Sequence, residues 1–176
     1  MKLYPTLLFA LALGACASTP TVHTDVASGA AFSSYKTYTW AMKPEGASPL
    51  VQQRIVDGVD ARLRAKGWTE APNGDVSIAA HIATSQKQTL DTFYTGTGMG
   101  GWGWRGAWGG GMAMGSASTT VRTYDVGTLI VDMFDTKTQQ AVWRGTASGT
   151  VPSSPDKVNA AVEAGLDKMF AGFPPG

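Results

Sequence analysis

Apolar residues recur at every fourth position through Val51, Ile55, Val59 and Leu63, the stripe of an amphipathic helix. Ser48-Pro49 supplies its start, a capping residue followed by proline at the first helical position, and Lys66-Gly67 supplies its stop. A second stripe, Val158, Val162, Leu166, Met169 and Phe170, follows the same signal at Ser154-Pro155 and ends before Phe173-Pro174-Pro175. On the first helix the opposite face carries Gln53, Arg54, Asp57, Asp60 and Arg64, which the pattern predicts to be solvated surface.

Elsewhere the period is two. Val22, Thr24 and Val26 alternate with His23 and Asp25, and Tyr35-Lys36-Thr37-Tyr38-Thr39-Trp40 is dense in aromatic and β-branched residues. Val76, Ile78, Ala80 and Ile82 alternate with Ser77, Ala79, His81 and Ala83, a pattern that weakens toward Phe93. Residues 127–135 are apolar at nearly every position, which predicts a central strand, and a polar turn at 136–139 leads into Ala141-Val142-Trp143-Arg144-Gly145-Thr146-Ala147 as its antiparallel hairpin partner. The order ββα-βββα predicts an α+β fold, a mainly antiparallel sheet of about five strands with two helices packed on one face.

Ahead of these elements the chain changes character. One positive charge, Lys2, precedes a largely apolar stretch from Leu3 to Leu13, too short to span a membrane and laid out like a secretory signal. Leu13-Gly14-Ala15-Cys16 then resembles the bacterial lipobox, and Cys16 is the chain's single cysteine. The reading is a lipoprotein signal peptide at 1–15, acylation of Cys16, a tether at 16–21 and one domain at 22–176. Several acyl chains on one residue anchor a protein stably where one chain does not. No Asp follows Cys16, where Ala17-Ser18 stand, so the expected location is the outer membrane, facing the periplasm.

Charge then removes whole classes. Fourteen Lys and Arg balance thirteen Asp and Glu among 176 residues, with no run of like charge, so no nucleic-acid partner is expected. One cysteine makes no intramolecular disulfide, CxxC pair or multi-thiolate metal site. His23 and His81, the only histidines, stand on different strands without ligand spacing, so no metal and no cofactor are expected. There is no GxSxG elbow. Asp132 and Asp135 flank the strongest strand; the reading favours a strand's solvent face or a turn over a general acid–base pair. Arg144 beside Trp143 either stacks or pairs with a neighbouring strand's carboxylate. No catalytic constellation emerges.

Residues 96–115 fit no core. Ten of these twenty are glycine, interleaved with Trp102, Trp104, Trp108, Met99, Met112 and Met114. Formal GxGxxG matches here follow from glycine density and precede no helix. Two readings stand: a low-complexity loop between strands, or an aromatic contact surface in which Trp102, Trp104 and Trp108 meet an envelope protein, a glycan strand or the membrane interface.

Tyr35-Lys36-Thr37-Tyr38-Thr39-Trp40, Lys66-Gly67-Trp68, Asp75-Val76, Gly127-Thr128-Leu129-Ile130-Val131-Asp132, Val142-Trp143-Arg144-Gly145 and Phe173-Pro174-Pro175 together resemble a family of bacterial lipoproteins, the one defined by domain of unknown function 4136. The resemblance covers nearly all of the chain after Cys16. It implies a periplasm-facing α+β lipoprotein and supplies no catalytic or binding residues. Trp40 and Trp143 are explained as large core or sheet-face residues, Gly67 as a helix stop and Gly145 as a close backbone approach. The expected function is that of a membrane-anchored, non-catalytic binding or envelope-assembly module. The rival is a lipid-anchored hydrolase of envelope polymers, which a polar cluster in a cleft would favour.

Overall fold

The computed structural model describes residues 19–94 and 117–175, so Cys16, Trp102, Trp104 and Trp108 lie outside the described residues. Six strands and two long helices follow in the order β1 (Thr21–Val26), β2 (Thr37–Met42), α1 (Pro49–Ala65), β3 (Thr69–Glu70), β4 (Val76–Tyr94), β5 (Ala117–Asp135), β6 (Ala141–Thr150) and α2 (Pro155–Phe170). They form one sheet, β1-β6-β5-β4-β2-β3.

The α+β class holds, and two expectations are corrected. The sheet has six strands, the sixth being the two-residue β3 that follows Trp68 at the edge of the sheet. It is also mixed: β2 pairs in parallel with both β3 and β4, while β1–β6, β6–β5 and β5–β4 are antiparallel. The cause lies in the connection. Because α1 carries the chain back along the sheet between β2 and β4, the two strands run the same way, as in any strand–helix–strand crossover.

Both helices start at their Ser-Pro signals, with Pro49 and Pro155 in the first turn. Ile55, Val59 and Leu63 of α1 and Leu166, Met169 and Phe170 of α2 pack on the alternating inward residues of β4 and β5, Val76, Ile78, Ala80, Val131 and Met133. Gly67 takes a positive φ of 83° where α1 ends, a conformation that costs glycine little. Gly145 is a close approach: a Cβ there would stand 2.4 Å from Met169 Cγ and 2.5 Å from Trp143 Cη2. At this lower end Trp68, Trp143, Phe170 and Phe173 form a chain of mostly edge-to-face rings 5.3–5.4 Å apart, so the closing Phe173 belongs to the core.

The upper end looks different. β4 and β5 continue past the other strands as a two-stranded ribbon, from Gln86 opposite Asp125 to Tyr94 opposite Ala117. β5 therefore begins ten residues before its apolar run. Residues 83–89 and 120–125 are exposed, including Val121 and Tyr124. Thr21 pairs with Ser148, which pairs with Thr128, which pairs with Ala83, so the chain enters the fold at the end from which the ribbon departs.

Candidate functional site

Four polar clusters hold the elements in place. Asp60, expected on the solvated face of α1, is instead buried beneath the sheet-facing side of the helix, where it accepts hydrogen bonds from Tyr38 Oη and Trp40 Nε1, both at 2.9 Å. Val56, Asp60 and Leu63 share one buried side of α1, and the four-residue stripe omitted its Val56–Asp60 flank. The polar tips of two aromatic strand residues need an acceptor there, since a buried unpaired donor costs about 1–3 kcal/mol. Burial, then the bond to Asp60, pushes the Tyr38 hydroxyl pKa well up.

Asp75 fixes the start of β2. Its Oδ2 accepts from the backbone N–H groups of Lys36 and Thr37 at 3.0 Å, and from Thr37 Oγ1 at 2.9 Å. These bonds, the Lys36 N–H first, hold its carboxyl below the usual range. Asp135 ends β5 and opens the turn into β6, accepting from the N–H groups of Lys137 and Thr138 and from Tyr35 Oη, each at 2.8 Å. Its pKa is also lowered, chiefly by the Thr138 N–H, while burial and then this bond push Tyr35 up to about 12.

Asp132 lies on the sheet face away from the helices, but Arg144 covers it. The guanidinium binds the carboxylate through both Nε and Nη2, the latter at 2.9 Å. Of the two readings for Arg144, the ion pair is the one realised, and it holds the guanidinium pKa above its ordinary value. On the same face the register His23–Thr146–Ile130–His81 puts the histidines three strand spacings apart, about 14 Å. They share no ligand at that distance. No cluster of three metal-ligating side chains occurs among the described residues.

The remaining feature is a cleft of about 1050 Å³ between the N-terminal halves of α1 and α2. Its floor is the upper end of the sheet. Ile82, Leu129 and Ala147 form one cross-strand row, and Thr84, Gly127 and Gly149 the next, a stretch where two adjacent strands present glycine. Val51, Ile55, Val158 and Val162 line the walls. Below, the helices close at Gly58, where a Cβ would stand 2.6 Å from Leu166 Cδ1. Arg62 bridges them there, bonding Gly58 O at 2.8 Å, Glu163 at 3.0 Å and Asp167. Leu50, 81% exposed, and Val151, 41% exposed, flank the mouth. Among the described residues no histidine lines the cleft. Its size lies at the top of the ~300–1,000 Å³ range of small-molecule sites, which are mostly apolar. Sequence reasoning did not find it, because it arises where side chains are small.

The model of the domain of unknown function DUF4136 matches residues 22–175. The chain belongs to this family. Among solved structures, a DUF4136 family protein from Bacteroides thetaiotaomicron superposes with a TM-score of 0.55 at 21% identity, covering 89% of this chain and 96% of that one. A PDZ domain protein from Parabacteroides distasonis gives a TM-score of 0.57 at 13% identity over 90% of this chain. The DUF4136 chain described here spans only 37% of that protein's length. At these identities the likeness is one of fold. No curated protein matches the sequence. No helix among the described residues is long and apolar enough to cross a membrane.

Proposed function

We propose that this DUF4136 protein is a non-catalytic binding or assembly module of the cell envelope, anchored at the outer membrane and facing the periplasm through lipid on Cys16. The observation that carries the binding part is the α1–α2 cleft, with a mainly apolar floor and walls and a charged lower end whose Arg62 is already paired with Glu163 and Asp167. Such a site suits an apolar ligand held by area and shape. Anchoring is supported by Leu13-Gly14-Ala15-Cys16, and the outer membrane by Ala17-Ser18 in place of an acidic residue. Trp102, Trp104 and Trp108 are assigned to contact with an envelope protein or glycan, because tryptophan combines a large apolar face with one hydrogen-bond donor.

Intact-mass measurement on the membrane fraction tests the anchor. The expected mature chain starts at an acylated Cys16, and Cys16→Ser is expected to leave the protein unprocessed; an unmodified Cys16 in the mature chain overturns the reading. Crosslinking in intact envelopes tests the contact. Changing Trp102, Trp104 and Trp108 together to Ser is expected to reduce partner recovery at unchanged melting temperature, and undiminished recovery removes the assignment.

A further inference from the structure

We infer that the α1–α2 cleft holds a fatty acyl chain carried by the protein's own Cys16. This rests on the lipid-anchor reading above and adds to it a place for one of the chains. Three observations converge. The floor contributes little side-chain bulk of its own: Gly127 and Gly149 lie at paired positions on β5 and β6, with Val151 and Pro20 beside them, and Ala147 lies one row below. Val51, Ile55, Val158 and Val162 form an apolar stripe on its walls, beside polar residues such as Arg54, Asp57 and Asn159, so an unbranched apolar chain lying on that stripe meets hydrocarbon. Finally, the polypeptide enters the fold along the cleft itself. Pro20 is buried and lines it, set 3.7 Å from where a Cβ on Gly149 would lie and 3.8 Å from one on Gly165. Lys168 Nζ donates to its carbonyl at 3.4 Å.

Cys16 is four residues upstream of Pro20, and four extended residues span at most about 14 Å. An acyl chain on Cys16 therefore starts within that distance of a residue in the cleft wall, whichever way the tether runs. At the closed end the cation Arg62 already has two carboxylates, so no unpaired charge stands there to hold a polar head.

The test uses the full chain made in a lipoprotein-processing bacterium fed a palmitate analogue that bears a photoreactive diazirine. After irradiation, the expected product is an intramolecular crosslink joining the Cys16 peptide to peptides containing Val51, Ile55, Val158 or Val162. Gly149→Leu fills the floor, where a Cβ would meet only Pro20 and at ordinary contact distance, and is expected to abolish the crosslink while Cys16 remains acylated. Val158→Trp blocks the same space from the helix side and replaces that variant should it unfold. Acylated Cys16 with no crosslink to the cleft overturns the inference and leaves the anchor standing. Cleft adducts with the mass of a phospholipid overturn it in favour of a membrane lipid as occupant. Unmodified Cys16 overturns anchor and inference together.

Discussion

Arg144 stands directly opposite Asp132 across the β5–β6 ladder and clamps its carboxylate with two donors. Asp132 is 5% exposed, whereas the Arg144 side chain is 59% exposed, so the two partners fail differently. Arg144→Ala leaves a buried carboxylate without its partner and is expected to destabilise the domain by about 1–3 kcal/mol. The double change Asp132→Leu with Arg144→Leu is expected to recover most of that loss, because an apolar pair needs no compensation. Urea denaturation of the three proteins checks both.

Asp60→Ala removes the shared acceptor of Tyr38 and Trp40. The buried Tyr38 hydroxyl then loses its acceptor, at about 1–3 kcal/mol, and the half-buried Trp40 indole loses the same acceptor at smaller cost. Asp60→Asn keeps a side-chain carbonyl and is expected to lose less. Equilibrium unfolding followed by tryptophan emission separates the two variants.

The pH dependence has two limbs. Asp75 and Asp135 have lowered pKa values in the fold, so their contribution is complete above the unfolded aspartate value of about 3.9 and disappears as pH falls through the folded values beneath it. Tyr35, raised to about 12, acts in the opposite sense: its contribution is complete below the unfolded tyrosine value of about 10 and disappears as pH rises through about 12. Melting temperature measured from pH 5 to pH 2 is expected to fall, less steeply for Asp75→Asn. From pH 9 upward it is expected to fall less steeply for Tyr35→Phe.

Replacing residues 88–123 with Asn-Gly joins Lys87 to Tyr124, which already face each other, through a two-residue hairpin turn. The removed ribbon adds no core contact from residues 88–89 or 120–123, all of them exposed. The shortened protein is expected to melt within a few degrees of the full chain. Loss of cooperative unfolding would mean that the ribbon supports the body.

Both helices and five strands were legible because their periodicity records which side is buried. Val51-Ile55-Val59-Leu63 and Val76-Ile78-Ala80-Ile82 are patterns of this kind. The ribbon half of β5 was not, because Thr119, Thr120, Thr123 and Tyr124 favour strands without alternating against a core. The parallel pairing of β2 with β4 depends on where α1 returns the chain, which no local pattern encodes. Charge in a helical pattern signals exposure, so the sequence puts Asp60 on the solvated face, and its acceptor role becomes visible only when Tyr38 and Trp40 lie over it. The sequence leaves Arg144 between stacking and an ion pair and names no partner, because register decides between candidate carboxylates. Glycines at 127 and 149 read as neutral in sequence and become a cavity only when the strands align.

The shared end of the N-terminus and the ribbon sets a clearance problem. From Cys16 to Thr21 the backbone spans at most about 18 Å, whereas the nine ribbon pairs beyond the body extend about 30 Å. With Cys16 held in a bilayer, the body hangs closer to the lipid than the ribbon is long. Under that anchoring an upright ribbon would not fit in the gap, and it would lie down along the headgroups, swing outward past the body or enter the bilayer. The tether length would then act as a steering constraint: inserting a flexible spacer after Cys16 frees the ribbon's angle, and shortening the tether presses the ribbon toward the membrane plane.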